Sequence, residues 1–159
     1  MERKIGLVIN APNILLERHL IELTDVLGVL RGFGRIVVGK VVLNHNASPR
    51  LVEAVVEHGL EPIPVLGRTD VAVTIEAMKI IWNSDIDILV LGVRDAHFMP
   101  LLFEAKSAGK DVVIIALGEK ISDALQNTAD RIIKLPLISN SQLQFSTPPK
   151  KLKLGQMGD

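Results

Sequence analysis

Short apolar runs alternate with helix-spaced stretches through the first 135 residues, and that alternation constrains the fold more than anything else in the chain. The runs are Ile5–Ile9, Ile36–Leu43, Pro62–Leu66, Ile86–Val93, Val112–Leu117 and Ile132–Leu135. They are short, rich in β-branched residues and mostly unbroken by polar ones, as strands buried on both faces are. Between them, Asn13–Leu30 carries Leu15, Leu16, His19, Leu20, Leu23 and Leu27 at helical spacing, with Gly32 and Gly34 beyond its end. Ser48-Pro49 opens a second helix, because Ser caps and Pro is tolerated in the first turn; Gly59 stops it after His58. Asp70–Trp82, Pro100–Ala108 and Ser122–Thr128 read as the remaining helices. Strand and helix in strict alternation predict an α/β domain with a mostly parallel sheet covered on both sides.

That architecture also explains the composition. Hydrophobic residues make up 48% of the chain and the mean hydropathy is +0.33. No run approaches the roughly 18 apolar residues of a membrane span, and Ile5 to Ile9 is too short for a signal peptide's apolar region. The apolar excess is therefore expected in the sheet. Cysteine is absent, which excludes disulfides, thiolate metal sites and cysteine nucleophiles, and fits a cytoplasmic protein. Lys+Arg and Asp+Glu are 18 each, so no global basic field advertises nucleic acid, though a local basic rim would be hidden in the sum. The domain is expected over residues 1–136. Residues 137–159 change character, with Pro148-Pro149 and the basic Lys150-Lys151-Leu152-Lys153, and read as a flexible tail that is either solvated or grips an acidic partner or RNA.

In an open parallel sheet, sites form beyond the carboxyl ends of the strands. The segments that follow the strands are Asn10-Ala11-Pro12-Asn13, then Gly67-Arg68-Thr69-Asp70 leading to Glu76, then Arg94-Asp95-Ala96-His97, and Gly118 followed by Ser122-Asp123. Polar groups from four segments thus converge on one edge, three of them carboxylates: Asp70, Glu76 and Asp95. Clustered carboxylates without Cys suggest a hard cation, Mg²⁺ or Mn²⁺, which activates water and neutralises phosphate charge. Each residue also has a bland reading. Asp70 and Asp95 could cap helices, Glu76 could be solvated, Asn10 and Asn13 could fix a turn, and His97 could simply pack.

No Walker-type phosphate loop occurs, and no Gly-x-Gly-x-x-Gly follows a strand, which disfavours a nucleotide cofactor. Tyr is absent, Trp occurs once and Phe four times, so RNA contacts would run through cations and backbone rather than stacked bases. Arg68, Arg94 and Lys120 are the cations near the edge.

Four segments carry a family resemblance over about residues 4–135. Ile5-Gly-Leu-Val-Ile-Asn-Ala-Pro-Asn13 resembles an apolar strand followed by Asp-Gly-x-Asn. Asp70-Val-Ala-Val-Thr-Ile-Glu-Ala-Met78 is similar to Asp-Val-x-x-x-x-Asp/Glu-Ala-Met. Leu89-Val-Leu-Gly-Val-Arg-Asp-Ala-His-Phe-Met-Pro-Leu101 resembles a strand ending in Asp-x-Asp-Phe-x-Pro-Leu, and Ser122-Asp-Ala-Leu-Gln-Asn-Thr-Ala-Asp130 resembles Ser-x-x-Leu-x-x-x-Ala-Asp. Together they resemble the NYN domain family of PIN-like proteins, in particular its small archaeal members. The resemblance implies a PIN-like three-layer α/β/α domain and, for active members, an Mg²⁺- or Mn²⁺-dependent ribonuclease. It points to Asn10, Asp70, Glu76, Asp95 and His97 as catalytic positions, with Asp70 and Asp95 as metal ligands. Asn13, Arg68, Arg94 and Ser122 are the accompanying substrate-binding positions. Two acidic positions of the family pattern have lost their charge: the first-strand Asp is Asn10, and the second Asp of Asp-x-Asp is His97. Asn keeps an oxygen but no charge; His brings nitrogen, which suits Mn²⁺ or Zn²⁺ better than Mg²⁺, and can move a proton.

Two readings follow. The first is a metal-dependent ribonuclease with an altered acidic site. The second is a degenerate domain that keeps the cleft and binds RNA or a protein, with a homodimer through an apolar helix face as one form of the latter. A Toprim-like or receiver-like domain fits less well, since His97 breaks the Asp-x-Asp of the one and Asn10 the paired acids of the other.

Overall fold

The structure is a computed structural model that describes residues 2–11, 23–117 and 121–135. Asn13, His19, Lys120 and the expected tail lie outside the described residues. Six strands form one sheet: β1 (Lys4–Asn10), β2 (Arg35–Asn44), β3 (Glu61–Val65), β4 (Ile88–Gly92), β5 (Asp111–Leu117) and β6 (Arg131–Leu135). All pair in parallel, in the order β3-β2-β1-β4-β5-β6. The helices are α1 (Leu23–Arg31), α2 (Pro49–Glu57), α3 (Thr69–Ile81), α4 (Met99–Ser107) and α5 (Asp123–Thr128), with a short 3₁₀ turn (Ala96–Phe98) ahead of α4.

Two cores, one on each face of the sheet, show why the apolar runs are continuous. Ile5, Leu7 and Ile9 point to one face with Val41, Leu43, Val90 and Val113, and meet Val26, Leu30 and Val55 of α1 and α2. Val8, Val42, Leu89, Leu91 and Ile114 point to the other and meet Val73, Ala77 and Ile80 of α3, Leu101 and Leu102 of α4, and Leu125 of α5. Each fully buried Val, Leu or Ile contributes about 1.5–3 kcal/mol, so both faces must be covered. The result is three layers, α/β/α, as the sequence predicts.

Local signals set the boundaries. Ser48 caps α2, its Oγ accepting from the Leu51 amide at 3.2 Å, with Pro49 in the first turn. Gly59, at φ 79°, ends that helix in a conformation costly for other residues. At Gly6, a side chain would run into Ile80: a Cβ there would sit 2.6 Å from Ile80 Cγ2. The missing side chain lets α3 lie close on β1, and this packing places the N-terminus of α3 beside the end of that strand.

Candidate active site at the carboxyl edge

The chain proceeds outward from β1 to β2 and β3 on one side, and from β4 to β5 and β6 on the other. The carboxyl ends of β1 and β4, which pair directly, are therefore the topological switch point where an open sheet leaves a crevice. Asn10 is the last residue of β1 and is buried. Its Oδ1 accepts from Thr69 Oγ1 at 3.0 Å, which ties the end of β1 to the first residue of α3. Gly67, at φ 93°, turns the chain after β3 and delivers Arg68 and Thr69 to this edge.

Asp70 lies in the first turn of α3 rather than at its N-cap, which is Arg68 without a side-chain cap bond, and its Oδ1 accepts from the Val71 amide at 3.1 Å. Arg68 donates twice to Asp70, Nε to Oδ1 at 3.1 Å and an Nη to Oδ2 at 2.8 Å. This two-pronged guanidinium holds the Asp70 carboxyl below the usual carboxylate range, and His97 adds a smaller pull in the same direction. From β4, Asp95 occupies the N-cap position of the 3₁₀ turn, again with no side-chain cap bond, and is exposed. His97 stands between the two acids. Its Nε2 is 3.7 Å from Asp70 Oδ2 and its Nδ1 is 4.0 Å from Asp95 Oδ2, while its ring leans on Phe98 with centroids 4.5 Å apart. Arg94 adjoins this group on the same loop, and its carbonyl accepts from the Ser122 amide at 3.4 Å. Ser122 serves α5, its Oγ accepting from the Leu125 amide at 3.2 Å.

The structure thus gathers Asn10, Arg68, Asp70, Asp95 and His97 at one edge, with Arg94 and Ser122 adjoining. Glu76 goes elsewhere. It is 8% exposed, with Oε1 3.0 Å from Lys40 Nζ and Oε2 3.3 Å from Lys79 Nζ. The Lys40 contact is an ion pair without hydrogen-bond alignment. Lys40 lies on β2 in register with Val8, two residues before Asn10, so this pair sits about 7 Å short of the edge along the strand. Sequence spacing carried no sign of Lys40, because the pairing spans 36 positions and depends on α3 crossing β2.

Burial pushes the pKa of Glu76 upward, but the ammonium groups of Lys40 and Lys79 together push it further down, below the ordinary value. Lys40 is raised, chiefly by Glu76. A carboxyl depressed on folding contributes stability that is complete above its unfolded value, about 4.3, and is lost as pH falls through the folded value. The melting-temperature gap between the native chain and Glu76→Gln is therefore expected to be flat from neutral pH to about pH 5 and to close below about pH 4. Thermal melts followed by circular dichroism check this.

The donors at the edge do not form a protein-only metal cage. Among the described residues, no three His, Asp or Glu side chains are grouped to hold an ion. The Asn10 oxygen is taken by Thr69, and both Asp70 oxygens by Arg68. The set does suit an ion that arrives with a phosphate, since Mg²⁺ commonly uses one or two carboxylates plus substrate oxygens and water.

A family model described as NYN domain matches residues 4–138. The chain belongs to the NYN domain family. It is 41% identical over 134 residues to the uncharacterized protein MJ0482 of Methanocaldococcus jannaschii, a match that covers 84% of this chain and 56% of that relative. The chain thus spans little more than half the relative's length. Its fold matches the crystal structure of a protein of unknown function, VPA0982, from Vibrio parahaemolyticus, with TM-score 0.75 and 18% identity over 84% of this chain and 93% of that one. As a NYN domain the chain is a member of a PIN-like nuclease family. Among the described residues no helix is long and apolar enough to cross a membrane.

Proposed function

We propose that this NYN domain is a cytoplasmic RNA-binding protein that hydrolyses RNA phosphodiester bonds at the carboxyl edge of β1 and β4. The observation that carries the reading is the meeting of Asp70, from the start of α3, and Asp95, from the loop after β4, around one imidazole within 4.0 Å of both. Arg68 and Arg94 supply positive charge to the phosphate backbone, which is the sequence-independent part of RNA affinity. Asp95 and Asp70 would hold Mg²⁺ or Mn²⁺ together with the substrate phosphate, and the ion would neutralise phosphate charge and activate water. His97 takes or gives a proton at the attacking water or the leaving oxygen. Asn10 holds the end of β1 against Thr69. Glu76, through Lys40, seats α3 so that Asp70 reaches the edge.

A second reading has a specific observation behind it. The Arg68 clamp and the Asn10–Thr69 bond consume the oxygens an ion would need. On that reading the domain binds RNA without cutting it. The test is cleavage of a mixed set of RNAs with Mg²⁺, Mn²⁺ or EDTA, alongside RNA binding in EDTA. The ribonuclease reading expects metal-dependent cleavage that Asp95→Ala lowers at least about tenfold, the scale on which ligand-shell losses act. Binding in EDTA with no cleavage under any metal supports the second reading. Neither binding nor cleavage removes both.

A further inference from the structure

α3 is apolar on both sides. Val73, Ala77, Ile80 and Ile81 are buried against the sheet and the neighbouring helix, as a covering helix requires. The opposite side carries Val71, 59% exposed, Ile75, 51% exposed, and Trp82, 76% exposed, with Met78 half-buried between them. At 3.6 residues per turn these four side chains fall within roughly 60° of arc, a single stripe along the helix. Phe103 of α4, the helix packed beside α3, is also more than half exposed. A helix that is apolar all round belongs in an interior, so something is expected to cover this stripe.

We infer that its occupant is the same stripe of a second copy, in a twofold dimer built on antiparallel α3 helices. The spacing of the stripe, 71, 75, 78 and 82, runs four, three, four and is the same read in either direction. A twofold axis between Ile75 and Met78 therefore sets Val71 against the second copy's Trp82 and Ile75 against its Met78. Small then meets large at the ends and medium meets medium at the centre, which is the self-complementarity an isologous interface needs. The electrostatics agree. The charged groups beside the stripe are already paired within one chain, Lys79 with Glu76 and Arg68 with Asp70, so two copies meet without like-charge repulsion.

Two aromatics and three aliphatic side chains, each already partly buried, come to the lower end of standard interfaces, about 600 Å² per partner. An interface of this size makes the dimer concentration-dependent. Sedimentation equilibrium of the full chain tests this directly, and the single tryptophan gives an independent reading. With rising concentration the mass should go from one copy to two and the Trp82 emission should shift to the blue. Ile75→Glu should raise the dissociation constant at least about 100-fold, since it buries two unpaired charges across the axis. Val56→Glu, exposed on α2 of the opposite face, should leave it unchanged. Circular dichroism confirms that both variants fold. A chain that stays monomeric at every concentration overturns the inference. So does an oligomer that survives Ile75→Glu, or one that Val56→Glu dissolves as well. Blue-shifted emission already present in the monomer overturns it too, because the stripe is then covered within one chain.

Discussion

Asn10→Asp and His97→Asp together are expected to raise Mg²⁺-dependent RNA cleavage about 100-fold over the native chain. Each change restores a negative charge to an edge where the present groups nearly cancel: Asp70 is neutralised by Arg68, and Asp95 is the remaining exposed acid. A lost or misplaced ligand group commonly costs tenfold or more in metal affinity, so two restorations multiply. The same variant carries a second signature. Asn10 is 3% exposed, and an aspartate there keeps the Thr69 hydroxyl as donor but loses most of its hydration. Aspartate at 97 would face Asp70 and Asp95, and crowded carboxylates destabilise one another. In EDTA the variant should therefore melt below the native chain, and Mg²⁺ should recover the loss, since a ligand bound only to the folded state stabilises it. Native melting should barely respond to Mg²⁺. Initial rates and melting curves across a magnesium series check both. A variant whose melting ignores Mg²⁺ shows that the edge does not hold the ion even with its charge restored.

The strands, helices and layers were legible because each depends on local pattern: six apolar runs, a Ser-Pro helix start, and glycines beyond helix ends. The approach of Asp70 to Asp95 was legible in part: both follow parallel strands at one edge, but β3 and β4 are three positions apart, and α3 packing back over β1 at Gly6 is what carries Asp70 across. What local pattern could not carry was who pairs with whom. Arg68 stands only two positions from Asp70, yet its clamp needs the extended N-cap that Gly67 prepares. Glu76 joins the edge in the family pattern, but its contacts are Lys40 and Lys79. Ser122 reads as a substrate contact, and its Oγ is the cap of α5. The outward stripe of α3 is hidden in sequence because the buried and exposed faces are both apolar, so periodicity does not separate them.

Lys40→Met alone is expected to cost about 3 kcal/mol, while Lys40→Met with Glu76→Leu should return to within about 1 kcal/mol of the native chain. Removing one partner of a buried ion pair strands the other, whereas replacing both by apolar groups of similar size is often neutral. Glu76 is the deeper partner, and Lys79, which hydrogen-bonds its other oxygen at 3.3 Å from an exposed chain, offsets only part of the loss. The neighbours Val8, Val42, Val73 and Ala77 already line the same core and would accept Met and Leu. Denaturant unfolding measures both values; a double variant as unstable as the single one would mean the pair is not a closed unit. Placed in the Asn10→Asp/His97→Asp background, the double variant also assigns Glu76. If cleavage survives at native stability, Glu76 acts only by seating α3 on β2. If cleavage disappears while stability holds, Glu76 belongs to the reacting site, and the Lys40 pair must open when RNA and metal arrive. The 7 Å between that pair and the edge, and the two lysines on its oxygens, favour the first outcome.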